Sequence, residues 1–381
     1  MRSKSTEWSK GRWMRRRPVR AIALLIAVLA VLASGCGVGD KDAAPDGRVA
    51  TPRSSKGIWL SSSEVAALPT SGAAWESVQE AASGDLGRPN IADQDSDHDI
   101  RTLAAALVAA RTNDFEMRNK VVDALSSAIG TERGGRTLAA GRNLQAYVIA
   151  ADLIDLSAAS PETNRRFSDW LRAVRTEDLD GKTLVETSQE RPNNWGTHAT
   201  ASLTTIAAYL GDTGELQRLA NIFRGWTGER SAYAGFDFGD LAWQANPGAP
   251  VAVNPAGANL LGHNVGGALP DEMRRGGGLQ WPPSPTGYPW GAINGAVVTA
   301  EVLSRRGFDA WSWGDQAVAR ATRFLMDLDR EVGGWGPAND DEWVLPVVNA
   351  RFGTKYGVPS SVGLGKNLGF TDWTHGSTPQ G

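Results

Sequence analysis

The sequence predicts an all-α fold, an (α/α) toroid: an incomplete barrel of paired antiparallel helices with one long irregular, aromatic-rich loop region. Three observations predict it. From about residue 57 onward, apolar residues recur at helical spacing in one stretch after another. Short loops rich in Gly, Pro, Asn and Asp separate these stretches, which sets successive helices antiparallel. No run of alternating apolar and polar residues reads as a strand. About nine such helices over roughly 300 residues exceed a small bundle, and the lack of a fixed period argues against a regular solenoid.

The chain opens with a targeting pattern. "MRRRPVR" (14–20) is basic, "AIALLIAVLAVLA" (21–33) is apolar, and "SGC" follows. This is the layout of a secretory signal and is too short for a comfortable membrane span. It resembles a bacterial lipoprotein signal, which makes Cys36, the single cysteine, the residue to be acylated. The expected organisation is a signal over 1–36, a flexible polar linker over 37–56 and one domain over 57–381. An exported product is expected, either a cell-envelope lipoprotein anchored at Cys36 or a freely secreted protein. With no second cysteine there is no disulfide, so stability must come from the core.

The helices follow in order. "SGAAWESVQEAA" (71–82) has a serine start signal. "DIRTLAAALVAARTN" (99–113) is rich in strong helix formers. "DFEMRNKVVDALSSAIG" (114–130) runs from Asp114 to a glycine stop. "GRNLQAYVIAADLIDL" (141–156) is apolar nearly all round, as befits a helix buried between others. "SPETNRRFSDWLRAVR" (160–175) pairs a serine cap with proline in the first turn. "THATASLTTIAAYLGD" (197–212) and "TGELQRLANIFRGW" (213–226) form one pair. "GAINGAVVTAEVLSRRG" (291–307) and "WGDQAVARATRFLMDLDRE" (313–331) form another. Residues 227–290 break the pattern. They are rich in Gly and Pro and carry Tyr233, Phe236, Phe238, Trp243, Trp281, Tyr288 and Trp290; a long irregular segment inside a domain usually serves function.

Charge narrows the partners. The first 36 residues hold eight Lys/Arg against one Glu, which leaves 31 basic and 41 acidic residues in the rest. A body that acidic lacks the broad basic face of a nucleic-acid binder. The 15 tryptophans suit either core packing or stacking on a flat ligand such as a carbohydrate. No zinc motif, phosphate-cradling loop or serine elbow is present, so neither metal nor cofactor is expected. "DQDSDHD" (93–99) is acidic but lacks the Gly and Glu positions of a calcium loop, and reads as a polar approach to a helix.

Two stretches can carry chemistry. "RPNNWGTHATAS" (191–202) offers Arg191, Asn193, Asn194, Trp195 and His198 at a helix start. Asn194 and His198 are four apart and share a face, although an N-cap and a packed histidine would also explain them. "GHNVGGALPDEMRRGGGLQWPPSPTGYPW" (262–290) offers His263, Asp271, Glu272, Arg274, Arg275, Trp281, Tyr288 and Trp290. An arginine presents a planar fork to a carboxylate, and a tyrosine can act as general acid or base. Adjacent Asp271 and Glu272 cannot flank a bond by themselves.

"NNWGTHA" (193–199), "LPDEMRRG" (269–276) and "YPWGAINGAVVTAEVLSRRG" from Tyr288 resemble, in this order, the alginate lyase family of polysaccharide lyases. "GKNLGFTDWTHG" (365–376) is similar to a bacterial and phage branch of such domains. The resemblance implies the helical toroid and β-elimination at a uronic acid. It maps Asn193 and Asn194 onto the family's asparagines, Arg275 onto its active-site arginine and Tyr288 onto its catalytic tyrosine. Trp195 stands where the family carries its histidine, and the imidazole of His198 comes three residues later. The expectation is a lyase acting on an anionic polysaccharide. Asn194 and Arg275 would neutralise the carboxylate, and Tyr288 and His198 would serve as acid and base. Arg191, Trp195, Trp243, His263, Trp281 and Trp290 would line sugar subsites. Two other readings stay open: a glycoside hydrolase using Glu272 with Asp237 or Asp240, and a glycan-binding lipoprotein without catalysis.

Overall fold

The computed structural model describes residues 57–359 and 362–376. The proposed signal, Cys36 and the linker lie outside the described residues. The described chain is all-α, with fifteen α-helices and one antiparallel pair of two-residue strands, β1 (Asn259–Leu260) and β2 (His263–Asn264). Among the described residues no helix is long and apolar enough to cross a membrane.

Local signals place most helix starts. Ser61 and Glu64 form a reciprocal capping box on α1 (Ser62–Ala67). After α2 (Ala73–Ser83) and α3 (His98–Thr112), Asp114 caps α4 (Phe115–Ala128) through the Met117 N–H. α5 (Thr137–Leu153) begins four residues before the predicted Gly141. That glycine is therefore internal: a methyl on it would sit 3.0 Å from Ala199 N. α6 (Leu156–Ala159) precedes α7 (Pro161–Val174), which starts as predicted at Ser160 and Pro161. A second capping box, Thr183 with Glu186, opens α8 (Leu184–Glu190). Asn193 caps α9 (Asn194–Leu210), left-handed Gly211 ends it, and Asp212 caps α10 (Thr213–Trp226).

Residues 227–287 form the long connection, holding β1, β2, α11 (Pro270–Met273) and a 3₁₀ turn at 274–276. It is tied to the helices rather than hanging free. Tyr233 Oη donates to Gln189 O (2.6 Å) and Asp237 N to Glu190 O (2.7 Å). α12 (Tyr288–Arg305) starts three residues before the predicted 291, because Pro289 fits its first turn. α13 (Trp313–Val332) has left-handed backbone at Gly314, Asp315 and Gln316 before its regular part. α14 (Val344–Phe352) and α15 (Thr371–Thr374) complete the order. The short helices α1, α6, α8, α14 and α15 were not anticipated, since a turn or two shows no clear period.

Packing centres on α9, which lies against α5 on one side and α12 on the other. α3 packs on α5, and α2 on α3; α14 packs on α12, and α15 on both α14 and α2. α4, α7, α10 and α13 are amphipathic and cover this inner set. The core includes Trp243, Trp290, Trp335, Trp343, Tyr147 and Phe370, each under 2% exposed. Burial on this scale supplies the dominant stabilisation of a chain without disulfides.

Candidate functional site

The start of α9 is held by the two acids of α11. Asn193 Nδ2 donates to Asp271 Oδ2 (3.0 Å), and the Asn194 backbone N–H donates to Glu272 Oε1. Asp271 also accepts from Arg274 Nε (2.8 Å) and Gly239 N (3.3 Å). Carboxyls at a helix N-terminus satisfy N–H groups that would otherwise lack partners. Burial pushes the Glu272 carboxyl up to about 8, against the opposing pull of the Asn194 N–H and the Arg275 charge. At neutral pH Glu272 therefore keeps its proton. Its Oε2 is 3.7 Å from Arg275 and makes no hydrogen bond among the described residues. Arg275 is thus left largely uncompensated, with its guanidinium carbon 3.5 Å from the centre of the Tyr288 ring. Tyr288, the first residue of α12, is 39% exposed.

Asn194 and His198 lie one turn apart and converge on α12. A methyl group at Gly291 would sit 3.4 Å from Asn194 Nδ2 and 3.8 Å from His198 Nε2. Gly295, one turn on, lets the backbones meet: a methyl there would be 2.4 Å from the Thr197 carbonyl carbon. His198 is fully buried. Its Nδ1 is 2.9 Å from Asn367 Nδ2, an amide nitrogen that can only donate, so the ring proton belongs on Nε2. Burial, and then the nearby Arg142 charge, hold its pKa well below the ordinary imidazole range. The ring is neutral, and among the described residues Nε2 has no partner; the same is true of the buried Oδ1 of Asn194.

Asn194, His198, Arg275 and Tyr288 are therefore linked by a continuous series of contacts: Arg275 over Tyr288, Glu272 between Arg275 and Asn194, and Gly291 beneath Asn194 and His198. One expectation needs correction. His198 has no exposed surface, so in this conformation it cannot take a proton from a ligand; it lies beneath Asn194.

The expected sugar-lining residues divide into three groups. Trp243 and Trp290 are each 1% exposed, and Trp290 Nε1 donates to Trp335 O (2.7 Å). They are core residues with no free face for a sugar, because the loop carrying Trp243 folds back onto the helices. Trp195 is half-buried, with Arg191 at 4.8 Å and Arg136 at 5.6 Å over its ring. Its place on the helix turns it away from the Asn194–His198 face. His263 stacks on Trp281 at 4.1 Å, and both line a hollow of about 380 Å³ with Arg323, Asp327 and Glu331. Of the hydrolase candidates, Glu272 is committed to the Asn194 N–H, while Asp237 and Asp240 are exposed on the long connection. The 93–99 segment leads into α3, where His98 Nδ1 meets Tyr147 Oη at 2.7 Å. Among the described residues no group of three or more His, Cys, Asp or Glu side chains could hold a metal ion.

Four polar residues around the same crossing escaped the sequence reading: Arg142 on α5, Asn294 on α12, and Asp341 and Asn367 on the C-terminal loops. Asn294 Nδ2 donates to Asp341 Oδ1 (2.7 Å), and Asn367 meets His198. The signal was present as polar residues inside apolar stretches, "GRNLQ" and "GAINGAV", which helical periodicity counts only as interruptions. No family model matches the chain, and no curated protein or solved structure matches it.

Proposed function

We propose that the protein is a polysaccharide lyase that cleaves a uronic-acid-containing polymer by β-elimination. The reading rests on one juxtaposition: a cation and a partly exposed phenol stacked together at the start of α12, joined through Glu272 to Asn194, whose amide Nδ2 faces Gly291 of the same helix. In β-elimination a base removes the proton on the carbon bearing the carboxylate. The C4–oxygen bond then breaks, a double bond forms between C4 and C5, and the leaving oxygen takes up a proton. The carbanionic intermediate adds negative charge beside an anion, so preorganised donors at the carboxylate lower the barrier by several kcal/mol. Arg275 and the Asn194 amide supply that neutralisation. Tyr288 is the exposed acid–base group. His198 is a positioning residue, a neutral imidazole packed under Asn194.

The neighbour order α2, α3, α5, α9, α12, α14, α15 and back to α2 supports the toroid of the resembled family as the finer description of the fold. The basic–apolar–Cys36 pattern supports export with a lipid anchor. The hydrolase reading is less favoured because Glu272 is buried and engaged with backbone. The deciding experiment incubates the protein with a panel of uronic polysaccharides and follows the ultraviolet absorbance of an unsaturated uronate. Cleavage without that chromophore rules the lyase out; new reducing ends alone select a hydrolase, and binding without cleavage selects a glycan-binding protein.

A further inference from the structure

α13 carries a row of charged residues four apart, Arg323, Asp327 and Glu331, beside the buried Phe324 and Leu328. With His263 of β2 and Trp281 of the long connection they line the hollow of about 380 Å³. None of Asn194, His198, Arg275 or Tyr288 lines it. The His263 and Trp281 rings lie 11° from parallel and form its aromatic wall. Trp281 Nε1 donates to Glu331 Oε1 (3.2 Å), which ties that wall to α13. The rest of the charged row is open. Arg323 is exposed and makes no hydrogen bond or ion pair among the described residues. Asp327 pairs with Arg330, and both side chains are exposed, so the contact contributes little. Arg320, the other cation at the hollow, is spent on backbone: its Nε donates to Asn254 O (3.2 Å) and its Nη1 to Gly314 O (2.8 Å). One free guanidinium therefore stands against two carboxylates. A second hollow of about 600 Å³ shares Ala256 and Arg320 with the first.

We propose that this hollow is a separate binding site for an uncharged saccharide, distinct from the site at Tyr288. Its size falls within the range of small-molecule sites. An acidic sugar is ill-suited to it, because Asp327 and Glu331 outnumber the one free cation. A hydroxyl both donates and accepts, a carboxylate only accepts and a guanidinium only donates. Neighbouring hydroxyls of a neutral sugar can therefore meet Asp327, Glu331 and Arg323 together, while the sugar's C–H face packs on the aromatic wall. A small zwitterion would match the charges but has no flat apolar face for the rings. The proposal stands on the hollow alone and does not depend on the lyase reading.

The test measures binding rather than turnover. The full-length chain is titrated by calorimetry with hexamers of glucose, mannose, xylose and N-acetylglucosamine, with hexamers of mannuronate, guluronate, galacturonate and glucuronate, and with free lysine. At least one neutral hexamer should bind. Arg323→Ala and Asp327→Ala should each weaken that binding by about tenfold or more, the usual effect of losing a hydrogen bond to a charged group. Both side chains are exposed, so these variants should fold. Trp281→Ala should weaken it at least as much, through loss of the aromatic wall. An excess of any uronate hexamer should not displace the neutral one. Absence of binding by every neutral hexamer overturns the proposal, and so does unchanged affinity in both Arg323→Ala and Asp327→Ala. Displacement by a uronate overturns it by placing the sugar at the Tyr288 site. Binding of lysine without any neutral hexamer overturns it by assigning the hollow to an amine. If Arg323-dependent binding is found but the wild-type chain never yields unsaturated product, the lyase reading falls and the neutral-sugar site stands.

Discussion

Two buried polar clusters sit at opposite ends of α12, and they are built on opposite principles. At its C-terminal end, Glu301 is fully buried and accepts from Arg305 Nε (2.9 Å), Arg351 Nε (2.8 Å) and Trp311 Nε1 (3.2 Å). Arg305 extends the network with a bidentate pair to Glu64, at 2.9 and 2.8 Å. Burial alone would raise the Glu64 carboxyl, but the hydrogen bonds from Arg305 and Ser61 outweigh it and bring it down to about 2. At the N-terminal end, Asn194, His198, Asn294, Asn367, Glu272 and Arg142 all carry buried polar atoms without partners among the described residues. The first cluster is complete in the protein alone and joins the start of the domain to α12 and α14. The second is left open. A fully satisfied network serves the fold, whereas a concentration of unmet donors and acceptors around one crossing is what a polar ligand site requires.

The comparison can be broken at several points. The largest expected effect is on turnover: Tyr288→Phe should lower the rate of unsaturated-product formation by about a hundredfold to ten-thousandfold, the usual range for a lost acid–base group. Its melting temperature should stay unchanged, because the residue is partly exposed and the ring that stacks with Arg275 is kept; retained activity would remove Tyr288 from the chemistry. Glu301→Gln should act in the reverse sense. Breaking a buried ionic cluster costs about 3–5 kcal/mol of stability, read from denaturant unfolding, and the effect should be on the folded fraction rather than on the site. A smaller loss, about 1–3 kcal/mol, is expected for Gly295→Ala, since the methyl forces α12 away from α9. Wild-type stability after that substitution would mean the helices do not touch as described.

The two clusters should also respond to pH in opposite directions. Glu64 is held below the ordinary carboxylate value of about 4. Its contribution is present above that pH and is lost as the pH falls toward 2. Burial raises Glu272 and Asp99 to about 8. Both bind a proton in the folded chain that the unfolded chain has released, so their contribution is full below about pH 4 and declines as the pH rises through 8. A melting profile from pH 3 to 9 should therefore fall at both ends, and Glu272→Gln should flatten only the alkaline side. The smallest effect is expected at Arg142. Because the guanidinium makes no hydrogen bond or ion pair among the described residues, Arg142→Gln should change stability far less than Glu301→Gln. A strong loss of stability would show that Arg142 belongs to the closed kind of cluster.

The helices were legible because their signals are local. Ser160 with Pro161, and Asp114 and Gly211 at their termini, act through neighbouring backbone alone. The pairing of Asn194 with His198 was also legible, since spacing of four fixes a shared face. What the sequence concealed depends on distant contacts. Nothing near Trp243 or Trp290 marks them as core rather than sugar platforms; that is decided by where the long connection folds back. Nor could local pattern show that His198 lies beneath Asn194, because the covering residues, Gly141, Gly291 and Asn367, come from three other parts of the chain. The surroundings of Arg142 were invisible for the same reason: the carboxyls near it, Asp341, Asp340, Asp95 and Asp99, come from distant parts of the chain.

The contact of α9 with α12 through Gly295 has a consequence for affinity. Where two helices meet through side chains, each residue has rotamers to lose when a ligand arrives. Here backbone lies against backbone, and the spacing between Asn194 on one helix and Tyr288 on the other is set by main-chain atoms with no rotamers between them. That part of the site is preorganised, so a ligand bridging the two helices meets little ordering entropy there, and more of the interaction energy remains as binding.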